Sequence, residues 1–342
     1  MDVWGGLMRS CEALVVAVAC LLLGGPTAGA GDAAAVDACA THGDVLGLSR
    51  IVEVDTAGGP HFGHTRAGEF DFLRDHEVVL TFDDGPLRPY TPAVLNALDA
   101  HCTKATFFMV GRMAVADPAM VREVAKHGHT IGSHTWSHAR LQDLDADNAK
   151  TEVEMGLSGL VRALQAPIAP FFRFPYLRPS PASIDYLKSR NIGSFAIDVD
   201  SRDFETKDPA TVKATVMAQL EKRRKGILLF HDIQPSTAHG INDILDALKA
   251  GGFKVVHMVP KAPATTLADY DAKADRELAH RKLAVAKQPL ASRSLVWPQT
   301  DAGKDEAVPW MRPQGAAEAA PKKTDTAAEQ AGIQLFEKSL QP

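Results

Sequence analysis

The stretch Glu77-Val78-Val79-Leu80-Thr81-Phe82-Asp83-Asp84-Gly85-Pro86 decides how the chain is read. Its β-branched and apolar residues run on without polar alternation, the pattern of a strand covered on both faces, as in a parallel sheet. The run stops at two adjacent carboxylates, and Gly85-Pro86 signals an immediate turn. Asp is also a common turn residue, so the pair alone leaves a structural reading as open as a chemical one. Side chains alternate along a strand, so Asp83 and Asp84 should leave it in opposite directions and need not share one task.

Working outward, apolar strand-like runs recur at 105–110, 130–133, 170–174, 193–197, 227–230 and 253–257. Between them, apolar residues fall at helical spacing in 91–100, 119–125, 153–164, 182–187, 212–220 and 241–248. Strands alternating with helices predict an α/β fold with a parallel sheet. About seven such units in roughly 180 residues crowd an open sheet and suit a closed or nearly closed barrel better. Residues 31–76 form an N-terminal extension with weaker signals: short strands at 45–48 and 50–54, and a turn at Gly58-Gly59-Pro60. His61 and His64 in this segment are read as surface residues. Beyond Pro260, residues 261–342 are rich in Ala, Lys, Asp, Glu, Gln and Pro, lack any strand-like run, and read as a disordered tail with a solvated helix at most over 270–285.

The totals bound the function. The 342 residues carry 45% hydrophobic and 23% charged residues, ordinary for a globular chain with a sizeable core. A net charge of −5 lacks the basic footprint of a nucleic-acid binder. Residues 1–30 read as a secretory signal: Arg9 precedes an apolar run over 13–23, and Ala28-Gly29-Ala30 offers a small-residue cleavage site. The run is short for a bilayer span, so no stable membrane insertion is expected after cleavage, and the chain is expected to be exported to a periplasmic or extracellular space. Cys11 and Cys20 would leave with the signal. Cys39 and Cys102 remain as a pair suited to an oxidising compartment.

Chemistry collects where the strands end. The first ends in Asp83-Asp84, the third in Ser133-His134-Thr135-Trp136-Ser137-His138, the fourth in Arg173-Phe174-Pro175-Tyr176. The fifth leads into Asp198–Phe204, and the sixth ends in His231-Asp232. In a parallel α/β barrel these positions share one face, where active sites are built. His134 and His138 stand four apart, so one helical turn would aim both imidazoles the same way. With one carboxylate they make a two-His, one-Asp set that suits zinc and keeps a coordination position open.

Taken in order, Thr81-Phe82-Asp83-Asp84-Gly85, His134-Thr135-Trp136-Ser137-His138, Arg173-Phe174-Pro175-Tyr176, Asp200-Ser201-Arg202-Asp203-Phe204 and Leu228-Leu229-Phe230-His231 resemble the five motifs of polysaccharide deacetylases, carbohydrate esterase family 4 or the NodB homology domain. The resemblance covers residues 77–260. It implies a distorted (β/α)7 barrel and removal of N- or O-acetyl groups from chitin oligomers, peptidoglycan or xylan. It also implies that Asp84, His134 and His138 hold Zn2+ or another divalent transition metal such as Co2+. Asp83 would be the general base and His231 the general acid. Arg173 would hold Asp83, Asp203 would orient and charge-balance His231, and the Tyr176 backbone N–H would help bind the oxyanion. One position departs: the family carries tryptophan after the fourth-motif aspartate, and here Phe204 keeps an apolar wall without the indole N–H.

The chemistry of the residues agrees. Amide hydrolysis at neutral pH needs an activated water, which zinc supplies, and a neighbouring arginine favours an ionised carboxylate. The expected function is a secreted, metal-dependent deacetylase of N-acetylglucosamine-containing polymers or oligomers, with an acetylated glycan as partner. The rival expectations are an acetylxylan or small-amide hydrolase on the same fold, and an inactive glycan-binding relative.

Overall fold

The computed structural model describes residues 45–63 and 71–287. Two strands, β1 (Arg50–Val54) and β2 (His61–Phe62), precede the stretch quoted above, which forms β3 (Glu77–Asp83) and is buried at every position. There follow β4 (Thr106–Met109), β5 (Thr130–Ser133), β6 (Phe171–Phe172), β7 (Gly193–Phe195), β8 (Val199–Asp200), β9 (Gly226–His231) and β10 (Lys254–Pro260). The helices are α1 (Tyr90–Ala100), α2 (Gly111–Ala116), α3 (Pro118–Lys126), α4 (Ala146–Leu164), α5 (Pro181–Ser189), α6 (Pro209–Arg223), α7 (Pro235–Ala250) and α8 (Ala268–Lys287). Four of them open on proline, at 118, 181, 209 and 235, where the missing N–H costs nothing. Asp117, Ser180 and Asp208 cap three of those starts by accepting backbone N–H groups.

Every strand pairing is parallel, and β3 is the seam. It pairs β9 over Val78–Asp83 and β4 over Thr81–Asp83. The order then runs β4, β5, β6, β7 on one side and β9, β8 on the other. Strands β3 to β9 therefore make a seven-stranded parallel α/β barrel, with no ladder between β7 and β8 among the described residues. Val78, Leu80 and Phe82 pack outward with Val94, Leu98 and Leu245 of the helices, while Val79 packs inward with Phe108, Phe171 and Phe195. Burial on both sides is why the β3 sequence shows no alternation. Thr81 and Asp83, on the Val79 side, are the polar residues this strand sends into the barrel.

Two expectations change. The run at 253–257 is a strand, β10, but it lies outside the ring, pairing β1 along its length and only the first two residues of β3. Its place in the ring belongs to β8, two residues long and too short to give a periodic signal. In the N-terminal extension the strand expected at 50–54 forms as β1 and pairs β10, 45–48 forms no strand, β2 pairs β7, and the Phe62 ring stacks on Phe195 at 4.7 Å. The expected tail also begins with ordered structure. Lys261 N–H donates to Val54 O, and α8 docks on α4, with Ala274 buried and Arg162 reaching Asp271 and Asp275. Besides buried Ala274 the contact is polar, including Tyr270 Oη 3.4 Å from Thr151 Oγ1, so α8 looks like a solvated helix in sequence. Cys102 is disulfide-bonded; Cys39, its expected partner, the expected signal at 1–30 and His64 lie outside the described residues.

Below the barrel, His129 and His257 are buried. His129 Nδ1 accepts the Ala105 N–H at 3.2 Å, and His257 Nε2 stands 3.0 Å from Thr130 Oγ1, which itself donates to Met258 O. Burial lowers both pKa values, His257 to about 4 and His129 well below its ordinary value, with the Lys104 charge adding to it. The unfolded chain takes up these protons near pH 6.5, the folded chain only at much lower pH, so their contribution is complete above pH 6.5 and is lost as pH falls. Urea unfolding should show stability declining from about pH 6.5 towards 4, by up to about 1.4 kcal/mol per pH unit for each proton. His257→Gln should remove close to one proton from that slope; an unchanged slope would contradict the assignment.

Candidate active site

At the mouth where β3, β5, β6, β8 and β9 end, the site begins with a buried ion pair. Arg173 is fully buried, the largest side chain so enclosed among the described residues. Its Nη1 donates to Asp83 Oδ1 and Thr81 Oγ1, both at 2.7 Å, and Nε and Nη2 donate to Phe195 O and Ala196 O at 3.2 Å. The guanidinium also lies 4.2 Å from the centre of the Phe108 ring. Such a charge persists in a barrel interior only because its donors are met. Burial pushes the Asp83 carboxyl up to about 6, against the pull of Arg173 and His231. The arginine was expected to favour the ionised carboxylate; it does, but desolvation outweighs it, leaving a carboxyl titrating near the range useful to a general base.

Beside this pair stand Asp84, His134 and His138, whose ligand atoms all lie within 4.8 Å of one another. Asp84 Oδ1 is 3.5 Å from His134 Nε2 and 3.3 Å from His138 Nε2. His134 Nδ1 donates to Arg173 O at 2.8 Å, which fixes the tautomer and leaves Nε2 without a proton in the neutral ring. Burial, reinforced by His138, pushes His134 down to about 3, so the ring is neutral at ordinary pH. An acceptor nitrogen thus faces an acceptor oxygen, and Asp84 Oδ1 is buried without a hydrogen-bond partner. This arrangement needs a cation between its members, and a divalent metal fits it: one carboxylate, two imidazoles, one imidazole oriented by a backbone carbonyl.

These three candidate ligands converge, but not in the way their spacing predicts. His134 to His138 is a turn rather than helix, with Thr135 at φ 66° and His138 at φ 59°, and the His138 N–H is held by Thr135 Oγ1 at 3.0 Å. Asp84 does not follow strand alternation either. Its φ of 75° swings the chain at the end of β3, bringing its carboxylate to the same centre as Asp83.

Across the centre, His231 Nε2 lies 4.0 Å from Asp84 Oδ2. Buried Asp203 grips the same residue twice, accepting from His231 N and from Nδ1, each at 2.7 Å, and also accepts from Thr237 Oγ1. Burial opposes the imidazolium, but Asp203 overrides it and pushes His231 up to about 10. Two exposed aromatics border the centre: Tyr176, 49% exposed, has its ring 4.7 Å from that of His138, and Phe204, 50% exposed, stands edge-on to His231 at 5.8 Å. Tyr176 has a left-handed backbone, φ 58°.

Several further residues support the site. Trp136 locks the histidine turn by lying against Gly111 and Gly159, where an added Cβ would meet the indole at 2.7 and 3.0 Å. Glu152 of α4 accepts from Ser137 N at 2.9 Å and Oγ at 2.7 Å. Gly85 is required by a close approach: a Cβ there would meet the Asp232 carboxylate at 2.2 Å. Asp232 is buried and accepts from Thr91 Oγ1 at 2.6 Å, and Thr91 in turn accepts the Leu87 N–H at 2.8 Å, tying down the loop behind Asp84. The Gly156-x-x-Gly159 spacing on α4 is the one hint in the sequence of a flat helix face.

The family model described as Polysaccharide deacetylase matches residues 73–193. The chain is 31% identical over 182 residues to a peptidoglycan-N-acetylglucosamine deacetylase of Listeria monocytogenes, covering 52% of this chain and 37% of that protein. It is 29% identical over 191 residues to a chitooligosaccharide deacetylase of Azorhizobium caulinodans, covering 52% and 90%. Among solved structures, a Bdellovibrio bacteriovorus peptidoglycan deacetylase superposes with a TM-score of 0.58 at 33% identity, covering 64% of this chain and 61% of that one. The chain thus spans well under half of the Listeria protein.

Asp84→Ala and His134→Ala should each abolish stoichiometric zinc binding measured by elemental analysis after dialysis, whereas Asp83→Asn should retain close to one zinc per chain. Zinc loss in Asp83→Asn with retention in Asp84→Ala would reverse the division between the two carboxylates. Arg173→Met, which strands Asp83 in the barrel, should cost about 3–5 kcal/mol of stability in urea.

Proposed function

We propose that this chain, whose residues 73–193 belong to the polysaccharide deacetylase family, is an exported, Zn2+-dependent hydrolase that removes the N-acetyl group from N-acetylglucosamine residues of a glycan polymer or oligomer. The observation that carries the reading is the union, at one mouth, of the Asp84, His134, His138 set with a carboxyl held by a buried arginine and an imidazole held by a buried aspartate. An amide hydrolase needs these three functions. The names of the Listeria, Azorhizobium and Bdellovibrio relatives support the glycan as substrate and the acetamide as target. The disulfide at Cys102 supports an oxidising compartment, and no helix among the described residues is long and apolar enough to cross a membrane.

Asp84, His134 and His138 would hold a divalent metal, which when bound would supply Lewis acidity at the amide carbonyl and acidify a water near neutral pH. Asp83 is placed to take the proton from the attacking water, and Arg173 fixes the direction of its carboxylate. The Tyr176 N–H donates to the carbonyl oxygen as it becomes an oxyanion. His231, its Nδ1–H held by Asp203, delivers the proton from Nε2 to the departing amine. Amide and water thus give acetate and the protonated amine. Tyr176 and Phe204 offer apolar faces on either side of the site for a sugar ring, Phe204 without the indole donor of the family's usual tryptophan.

Zinc-loaded protein should release acetate from chitin oligomers or peptidoglycan; release only from acetylxylan, or from none, would overturn the substrate assignment. His231→Ala should lower kcat by about 10²–10⁴-fold at unchanged zinc content. Since Asp203 raises the His231 pKa, Asp203→Asn should move the alkaline limb of the kcat/KM profile to lower pH. A shift of the acid limb instead would reassign the pair.

A further inference from the structure

One cation at the rim has no part in the chemistry above. Arg140 follows the metal ligand His138 by two residues and is exposed. Its guanidinium carbon lies 4.5 Å from the centre of the Tyr176 ring, whose other contact is the His138 ring at 4.7 Å. The backbone is fixed on both sides: Thr135 Oγ1 holds the His138 N–H, Leu141 is buried, and the Asp143 N–H donates to Arg140 O at 3.0 Å. No carboxylate among the described residues lies within ion-pair distance of Arg140. Several arginines are neutralised, Arg88 by Asp117 at 2.6 Å, Arg202 by Glu205 at 2.8 Å and Arg190 by Glu154 at 2.7 Å, whereas Arg112, like Arg140, has no ion pair among the described residues and lies over a ring, that of Trp136. What is particular to Arg140 is its place: the ring it lies on, Tyr176, borders His138.

Stacking occupies the face of a guanidinium and leaves its edge, with the N–H fork, available to a planar anion. We propose that Arg140 is a specificity-determining residue that reads a carboxylate on the glycan next to the acetamide being cleaved. The preferred substrate is then an anionic strand in which N-acetylglucosamine alternates with a carboxylate-bearing sugar, rather than a neutral chitin chain. Tyr176 serves both partners, since one ring positions the arginine and borders the metal histidine. The inference rests on the deacetylase reading for its choice of glycan, but its physical content is a charge-dependent contact that binding alone can measure.

The test uses the full-length, zinc-loaded chain carrying Asp83→Asn, so that ligands survive titration, with and without Arg140→Ala or Arg140→Lys. The probes are soluble chains of alternating N-acetylglucosamine and N-acetylmuramic acid, the same chains with their carboxylates converted to methylamides, and neutral chitin oligomers. The carboxylate form should bind about tenfold more tightly than its methylamide, the scale of a charge-assisted hydrogen bond. Arg140→Ala should erase that difference and leave chitin binding unchanged, while Arg140→Lys should keep part of it. Equal binding of carboxylate and methylamide forms, or an equal loss for all three ligands in Arg140→Ala, would overturn the proposal, the latter showing Arg140 to be only a support for Tyr176. Acetate release by the chain with Asp83 intact is scored separately: none from any probe would sink the deacetylase reading, while the binding ratio still decides the role of Arg140.

Discussion

A guanidinium with no exposed surface, paired to a carboxylate at 2.7 Å inside a barrel, is the constraint around which this site is arranged. Two ions taken out of water gain stability only when the remaining donors and lone pairs are met as well. Here they are met by Thr81 Oγ1, by two carbonyls at the end of β7, and by the face of Phe108. Those partners come from β3, β4 and the β7 loop, so the pair can form only once the ring of strands has closed around it. The same residue then acts outward: Arg173 O accepts the His134 Nδ1–H, so fold closure and ligand tautomer are set by one residue.

The metal set shows a second consequence of desolvation. Exposed carboxylates and imidazoles find water. Buried ones must find a partner, and Asp84 Oδ1 faces two imidazole nitrogens with none. Asp203 and His231 solve the same difficulty differently, by sharing a proton. The two devices leave His134 neutral and His231 charged, the contrast that the proposed division between metal ligand and proton donor requires.

Much of this was legible in the sequence, for identifiable reasons. β3 was readable because burial on both faces leaves an unbroken apolar run, and the site's strand ends followed from the alternation of strands and helices. β8 was not, because two residues carry no period; α8 was anticipated as a helix over 270–285, but not its docking, which rests on Ala274 and on polar contacts such as the ion pair with Arg162. The grouping of His134 with His138 was anticipated, but the means was not: two positive-φ residues do the work assigned to a helical turn. Contacts such as Thr91 with Asp232, 141 residues apart, depend on tertiary closure and have no local signature. The role of Arg173 entered only through resemblance to a family, since nothing in its neighbours distinguishes a buried arginine from an exposed one.

The central claim is that one carboxylate and two imidazoles at the end of the barrel hold the metal on which the chemistry depends. X-ray absorption at the zinc edge of the loaded full-length protein addresses it most directly. The account predicts only nitrogen and oxygen in the first shell, at about 2.0–2.2 Å, with the scattering of two imidazole rings, falling to one in His138→Ala. A sulfur shell near 2.3 Å, or a spectrum unchanged by His138→Ala, would contradict it.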